Sequence, residues 1–245
     1  MDSGYYAAVS GLVARTQAFD TAAANLANGQ TPGYRAERTY FRSVLLDPES
    51  EASQIGLAVN QYGLLGGDRL SSAQGPLQRT GNPLDLGIEG EGFFAIQTRN
   101  GIRYTRAGDF HRSQSGLLVT QAGEPVLSQS KQSISAPPGE IAVGASGALS
   151  LGGAVFAEVG VFEFAKDIQL RAEGANRYVA PDGAVNSKPK DSVIHQGEIE
   201  GANEDVIQAS LDLLMMQRQT EMMQRALTVF HTEFNKTASE ELPRV

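Results

Sequence analysis

Histidines and paired carboxylates are the residues here whose types could do chemistry. The 245-residue chain has three histidines and no cysteine. His111, His195 and His231 are far apart and lack the short spacings of a metal-ligand set. The absence of cysteine excludes disulfides, thiolate metal sites and cysteine nucleophiles. Glu89 and Glu91 sit two residues apart, which would aim both carboxylates to one side of a strand. An acid/base pair acting on a glycan such as peptidoglycan would need such a couple. However, Gly90 and Gly92 alternate with them, which reads as a turn carrying solvated charges. No nucleophile, base and orienter form a set, and no glycine-rich run ends in Gly-Lys-Ser/Thr. The chain is expected to be no enzyme and to carry no cofactor and no metal.

Composition narrows the partners. The formal charge is -8 and the pI near 5.0, and no two basic residues are adjacent. Nucleic-acid binding is not expected, because it draws on clustered Lys and Arg. No 18-residue apolar run is present, so membrane insertion is not expected either. The first residues lack the basic and apolar regions of a Sec signal.

What remains is a chain built for packing. Glycine is concentrated between Gly56 and Gly201, with none beyond. That middle reads as strands and turns, and the two ends read as helices. Near the start, Tyr5, Leu12, Phe19 and Leu26 recur every seven residues, with Val9, Thr16 and Ala23 between them. This predicts a helix of about seven turns. Asn25 and Asn28 fall at its end as local caps or as bonds to a neighbouring subunit. Thr31-Pro32-Gly33-Tyr34 then reads as a turn, with proline fixing φ and glycine allowing φ > 0. Near the other end, Ala209, Leu213, Met216, Thr220, Met223, Leu227, Phe230 and Phe234 alternate spacings of four and three. That is an a/d seam of nearly four heptads.

The expected fold is therefore α+β: long N- and C-terminal helices forming a coiled-coil core, with an inserted all-β domain. The expected parts are 1–75 (N-terminal helix and connecting arm), 76–197 (all-β domain) and 198–245 (C-terminal helix). The helical stripes can bury against each other, against other subunits, or both. Tyr5, Leu12, Phe19, Leu26, Leu213, Met216, Met223, Leu227, Phe230 and Phe234 are the candidate contact residues. Phe93, Phe94, Phe110, Phe162 and Phe164 are expected in the β core. Ala154–Phe164 reads as one long strand.

Three groups of motifs, in order along the chain, resemble a known family. The first is Asn25-Leu26-Ala27-Asn28 followed by Thr31-Pro32-Gly33-Tyr34. The second runs from Thr80-Gly81-Asn82-Pro83 through Gly90-Glu91-Gly92-Phe93-Phe94 to Tyr104-Thr105-Arg106-Ala107-Gly108-Asp109-Phe110. The third is Gly197-Glu198-Ile199-Glu200-Gly201-Ala202-Asn203 with the helix after it. Together they are similar to the bacterial flagellar rod/hook axial family. The opening residues and modest length look more like its proximal-rod member; a distal-rod or hook-type subunit is the alternative, ahead of a surface adhesin or hydrolase. The resemblance implies export through the flagellar type III apparatus without a cleaved signal. It implies polymerisation in the periplasm with copies of itself and other rod subunits, and a basal-body rod that passes torque to the hook. It also implies terminal helices inside and a β domain outside. The termini of the free monomer are expected to be partly disordered until assembly.

Overall fold

The computed structural model describes residues 2–42, 64–165 and 168–241. Helix α1 (Asp2–Ala27) stops where Asn28 and Gly29 open a turn, and helix α2 covers Val206–Glu241. Between them β1 (Glu37–Arg42) and β2 (Leu64–Leu70) form a two-stranded ribbon. Next come β3 (Leu77–Arg79), β4 (Leu86–Glu89), β5 (Phe93–Thr98) and β6 (Gly101–Thr105). The short β7 (His111–Arg112) and β8 (Leu118–Val119) pair with each other. β9 (Ile141–Val143), β10 (Ala148–Leu151) and β11 (Ala154–Glu158) make a three-stranded antiparallel sheet. β12 (Val161–Phe164), β13 (Arg171–Gly174), β14 (Arg177–Val179) and β15 (Asn186–Ser187) join β5 and β6 in a six-stranded sheet, ordered β13-β14-β6-β5-β12-β15. Finally β16 (Val193–Gln196) returns to pair with β4, and β17 (Glu198–Glu200) with β3.

The chain divides into two compact units. One holds α1, Glu37–Asp68 and α2; the other holds Asn28–Ala36 with Arg69–Asp205. The second unit carries both hydrophobic clusters, and β5 explains why there are two. Its side chains alternate in direction. Phe94 and Ile96 enter a cluster with Leu86, Ile88 and Phe110. Ala95 enters the other, with Tyr104, Phe162 and Tyr178, and Phe93 and Phe164 pack on its edge. A strand buried on both faces needs a continuous apolar run, and Phe93-Phe94-Ala95-Ile96 supplies it.

Two expectations are corrected. Ala154–Phe164 is not one strand. It breaks at Val159-Gly160, where the chain leaves the three-stranded sheet for the six-stranded one. A Cβ on Gly160 would stand 2.6 Å from the Ser128 carbonyl oxygen, so only glycine allows this close passage.

The second correction concerns the fold class. The protein is mostly β, with seventeen strands and two helices among the described residues, and the helices do not form a coiled-coil core. α1 does pack along α2, and Arg15 Nη1 donates to Gln219 Oε1 at 2.7 Å. But among the described side chains of α1 the buried positions are Gly11, Ala14, Ala18 and Asn25, while Leu12, Phe19 and Leu26 are half-buried. Small residues let two backbones approach yet remove little apolar area from water. They cannot act as the large knobs a coiled coil needs. On α2, Leu213, Met216 and Met223 are likewise half-buried. The side chains of Tyr5, Leu227, Phe230, Phe234 and His231 lie outside the described residues, as do residues 43–63 of the expected connecting arm.

The β13–β14 turn holds backbone strain. Ala175 and Asn176 both have positive φ, 49° and 54°. An L-residue with a Cβ is disfavoured there by roughly 1–2 kcal/mol. Ala175→Gly should therefore stabilise the protein by about 0.5–1 kcal/mol in chemical denaturation, less the extra chain entropy glycine loses on folding.

Candidate functional site

The motif turn after α1 does not stay local. Thr31 N–H donates to the Asn28 carbonyl at 2.9 Å and Tyr34 N–H to the Thr31 carbonyl at 3.2 Å, closing the turn. Gly33 has φ 68°, and its N–H donates to the Glu200 carbonyl at 2.7 Å. The Pro32 carbonyl accepts from Asn176 Nδ2 at 2.8 Å, so the strained β13–β14 turn holds the motif turn from one side. Beyond it, Arg35 N–H donates to the Tyr178 hydroxyl at 3.0 Å. Ala36 N–H donates to Asn203 Oδ1 at 2.7 Å, and Asn203 N–H donates to the Tyr34 carbonyl at 3.2 Å.

These contacts deliver the Arg35 side chain to a buried charge cluster. Glu200 is 1% exposed and lies between two guanidiniums. Arg35 Nη2 is 3.3 Å from its Oε1, and Arg106 Nη1 donates to its Oε2 at 2.8 Å. Gly75 N–H adds a bond to Oε1 at 3.0 Å. Arg35 and Arg106 are 4% and 2% exposed. Backbone carbonyls take up their other donors: Ser72 and Ala73 for Arg35, at 2.7 and 2.8 Å, and Gly90 for Arg106, at 2.6 Å. The Phe93 ring lies 5.8 Å from the Arg35 guanidinium and 5.3 Å from that of Arg106, within cation–π range. Both Nε atoms are buried without a hydrogen-bond partner, so the cluster is not fully satisfied. Burial pulls Arg106 down to about 10, with Glu200 opposing the shift. It therefore stays charged at neutral pH, and the triad has one positive charge in excess. Burial likewise pushes the Tyr178 hydroxyl up, keeping it protonated.

Chemically this arrangement fastens and does not react. It has no nucleophile, and the carboxylate is held by three donor groups. It ties the segment leaving α1, the loop and strand around Arg106, and the segment entering α2 into one buried anchor. Thus the three groups of motifs meet in space. The turn residues Thr31, Pro32, Gly33 and Tyr34 are part of it. Arg35, Tyr178 and the roles of Arg106, Glu200 and Asn203 were not anticipated from sequence. Arginine between small uncharged neighbours in Tyr104-Thr105-Arg106-Ala107 was the available signal.

The other candidates fall elsewhere. The Asn25 side chain accepts from Glu37 N–H at 3.0 Å and donates to the Glu37 carbonyl at 2.8 Å, clamping α1 to β1. Glu89 Oε2 lies 2.6 Å from His195 Nε2, an exposed pair between β4 and β16, and Glu91 is exposed in the following turn. No group of three metal-ligating side chains occurs among the described residues, and no described helix is long and apolar enough to cross a membrane.

Comparison with known proteins gives the anchor its context. The profile of the flagellar hook protein FlgE/F/G D1 domain matches residues 87–187, and that of the flagella basal body rod protein matches residues 6–35. The chain is 30% identical to the flagellar basal-body rod protein FlgF of Caulobacter vibrioides, over all of both chains. It is 34% identical to the FlgF of Rhizobium meliloti over 89% of each chain. It is 28% identical to the flagellar basal-body rod protein FlgG of Bacillus subtilis, over 87% of this chain and 89% of that one. The chain belongs to the flagellar basal-body rod protein family, as a structural subunit of the rod.

Proposed function

We propose that the subunit joins its neighbours in the rod through the outward face of α2, and that the buried anchor holds the two ends of the β unit together while it does so. The observation carrying this reading is a second apolar stripe. Ile207, Leu211, Leu214, Met215, Met222 and Val229 are exposed. At about 100° per residue they share one narrow sector, opposite Leu213, Met216 and Met223. A helix apolar on two opposite sides, with one side in water, is built to be covered on both. Leaving that surface exposed costs about 25 cal/mol per Å2. Where such a face meets a different surface of the next copy, the contact need not close on itself and propagates into a helical polymer. The rod reading also carries export by the flagellar type III apparatus, a periplasmic position and a mechanical role, as the resemblance to the rod/hook axial family implies.

Met222→Asp combined with Val229→Asp tests the face. Both residues are exposed, so the monomer should keep its circular dichroism spectrum and melting temperature. Basal bodies from cells carrying only this variant should lack a complete rod in electron micrographs, with motility lost. Complete rods and normal swimming would reject the face as an assembly surface.

A further inference from the structure

We propose that Met215 and Met222 form an oxidation-sensitive site: a peroxide converts their thioethers to sulfoxides on the free subunit and so blocks its assembly into the rod. This rests on the outward face of α2 being the assembly surface, and adds a chemical control to it.

The chain has neither cysteine nor tryptophan, which leaves methionine sulfur as its main target for peroxides. Four of its five methionines stand on α2, in a repeated tetrad. Met215-Met216-Gln217-Arg218 returns seven residues later as Met222-Met223-Gln224-Arg225. A step of seven residues comes back to nearly the same side of a helix, while neighbours in sequence point about 100° apart. Each methionine pair therefore divides. Met215 and Met222 are 55% and 62% exposed, whereas Met216 and Met223 are half-buried. Ile207, Leu211, Leu214 and Val229 supply the rest of the outward stripe as hydrocarbon. Among these exposed side chains only the two methionines can be made polar by adding one atom.

The step uses hydrogen peroxide alone. A sulfur lone pair attacks one peroxide oxygen, the O–O bond breaks and an S–O bond forms. The other oxygen leaves as water once a proton has moved to it. Sulfur loses two electrons and peroxide gains them. A flexible apolar side chain becomes a polar one that accepts hydrogen bonds. Arg218 and Arg225 follow at i+3, where Cβ atoms on a helix surface lie about 5–6 Å apart. Their guanidiniums can donate to the sulfoxide oxygens on the free helix. Covering the face would then strip water from polar groups where an apolar stripe stood, which opposes assembly. Once a neighbour covers the face, both sulfurs are shielded. The site thus acts on subunits awaiting assembly and spares a finished rod. Sulfoxide reductases restore the thioether, so the block is reversible.

Hydrogen peroxide added to the purified full-length chain, with peptide mass spectrometry over time, reads the site directly. Met215 and Met222 should form sulfoxide about threefold faster, or more, than Met216 and Met223. Equal rates overturn the proposal and leave the α2 face standing. Two double variants test the consequence. Met215→Leu with Met222→Leu keeps the face apolar; Met215→Gln with Met222→Gln imitates the sulfoxide. Both should keep the parent's melting temperature. Cells making only the Leu variant should build complete rods in electron micrographs, and cells making only the Gln variant should not. Where the chain is induced only after sublethal peroxide is added, the parent should give several times fewer complete rods than the Leu variant. Complete rods from the Gln variant, or parity between parent and Leu variant under peroxide, overturn the proposal. The variant Met222→Asp with Val229→Asp separates the two readings. If it builds complete rods, the face fails and this site with it; if it is blocked while the Gln variant assembles, only the oxidation site fails.

Discussion

Glu200→Ala should lower the unfolding free energy of the β unit by about 3–5 kcal/mol, the cost of stranding a buried charge. Glu200 is the carboxylate that Arg35 and Arg106 share, at 3.3 and 2.8 Å. Without it, two guanidiniums remain buried against each other, and Gly75 N–H loses its acceptor. Water cannot easily substitute, since all three side chains are almost fully enclosed. With a urea dependence of roughly 1–3 kcal/mol per molar, the midpoint should fall by about 1–5 M. Glu200→Gln should cost less, because an amide oxygen still accepts from one guanidinium. Replacing all three residues by apolar ones of similar volume should recover much of the loss, as buried ion clusters are weak contributors to net stability. A Glu200→Ala protein that melts like the parent would mean that the anchor does not hold the unit together.

Gly33→Ala should do comparable damage by a different route. At φ 68° an alanine is already disfavoured by about 1–2 kcal/mol. The larger problem is space. The added Cβ would lie 2.1 Å from Ala107 N and 2.3 Å from Arg106 C, both backbone atoms that no rotamer change can move aside. The turn must lift away. It then loses the bond from Gly33 N–H to the Glu200 carbonyl and draws Arg35 from its carboxylate. A loss of about 3 kcal/mol or more is expected, among the large effects reserved for strain and broken buried networks. Limited proteolysis should cut within residues 28–36 of the variant and spare the parent. Because both substitutions disable one anchor, the double variant should be clearly less destabilised than the sum of the two. Full additivity would show that the turn and the charge cluster act separately.

Much of this could be read from residues, and what could not has physical causes. Heptad spacing predicts a helix at each end, but hydrophobicity alone ranks Leu12 and Phe19 above Gly11, Ala14 and Ala18. The structure buries the small ones, because close backbone approach selects for absence of bulk. The strand break at Gly160 is hidden by apolar residues on both sides of it. The Pro-Gly turn was legible because its chemistry is local. The destination of Arg35 was not, since its partners come from distant parts of the chain. Glu198 and Glu200 show the limit most plainly. They alternate on one strand and look alike in sequence, yet Glu198 pairs with the exposed Arg79 while Glu200 is sealed between two arginines. Only the chain folded around them distinguishes a surface carboxylate from a buried one.

The side-by-side entry and exit of the β unit bear on how a rod is loaded. Tyr34 and Asn203 are backbone-bonded at 3.2 Å, as are Gly33 and Glu200 at 2.7 Å. A pull on the two ends of this unit is thus met across a few bonds before it reaches the strands. The two ends of the β unit leave it side by side, so its sheets are spared stretching between them. The element under shear is then the short double segment at 33–36 and 200–203.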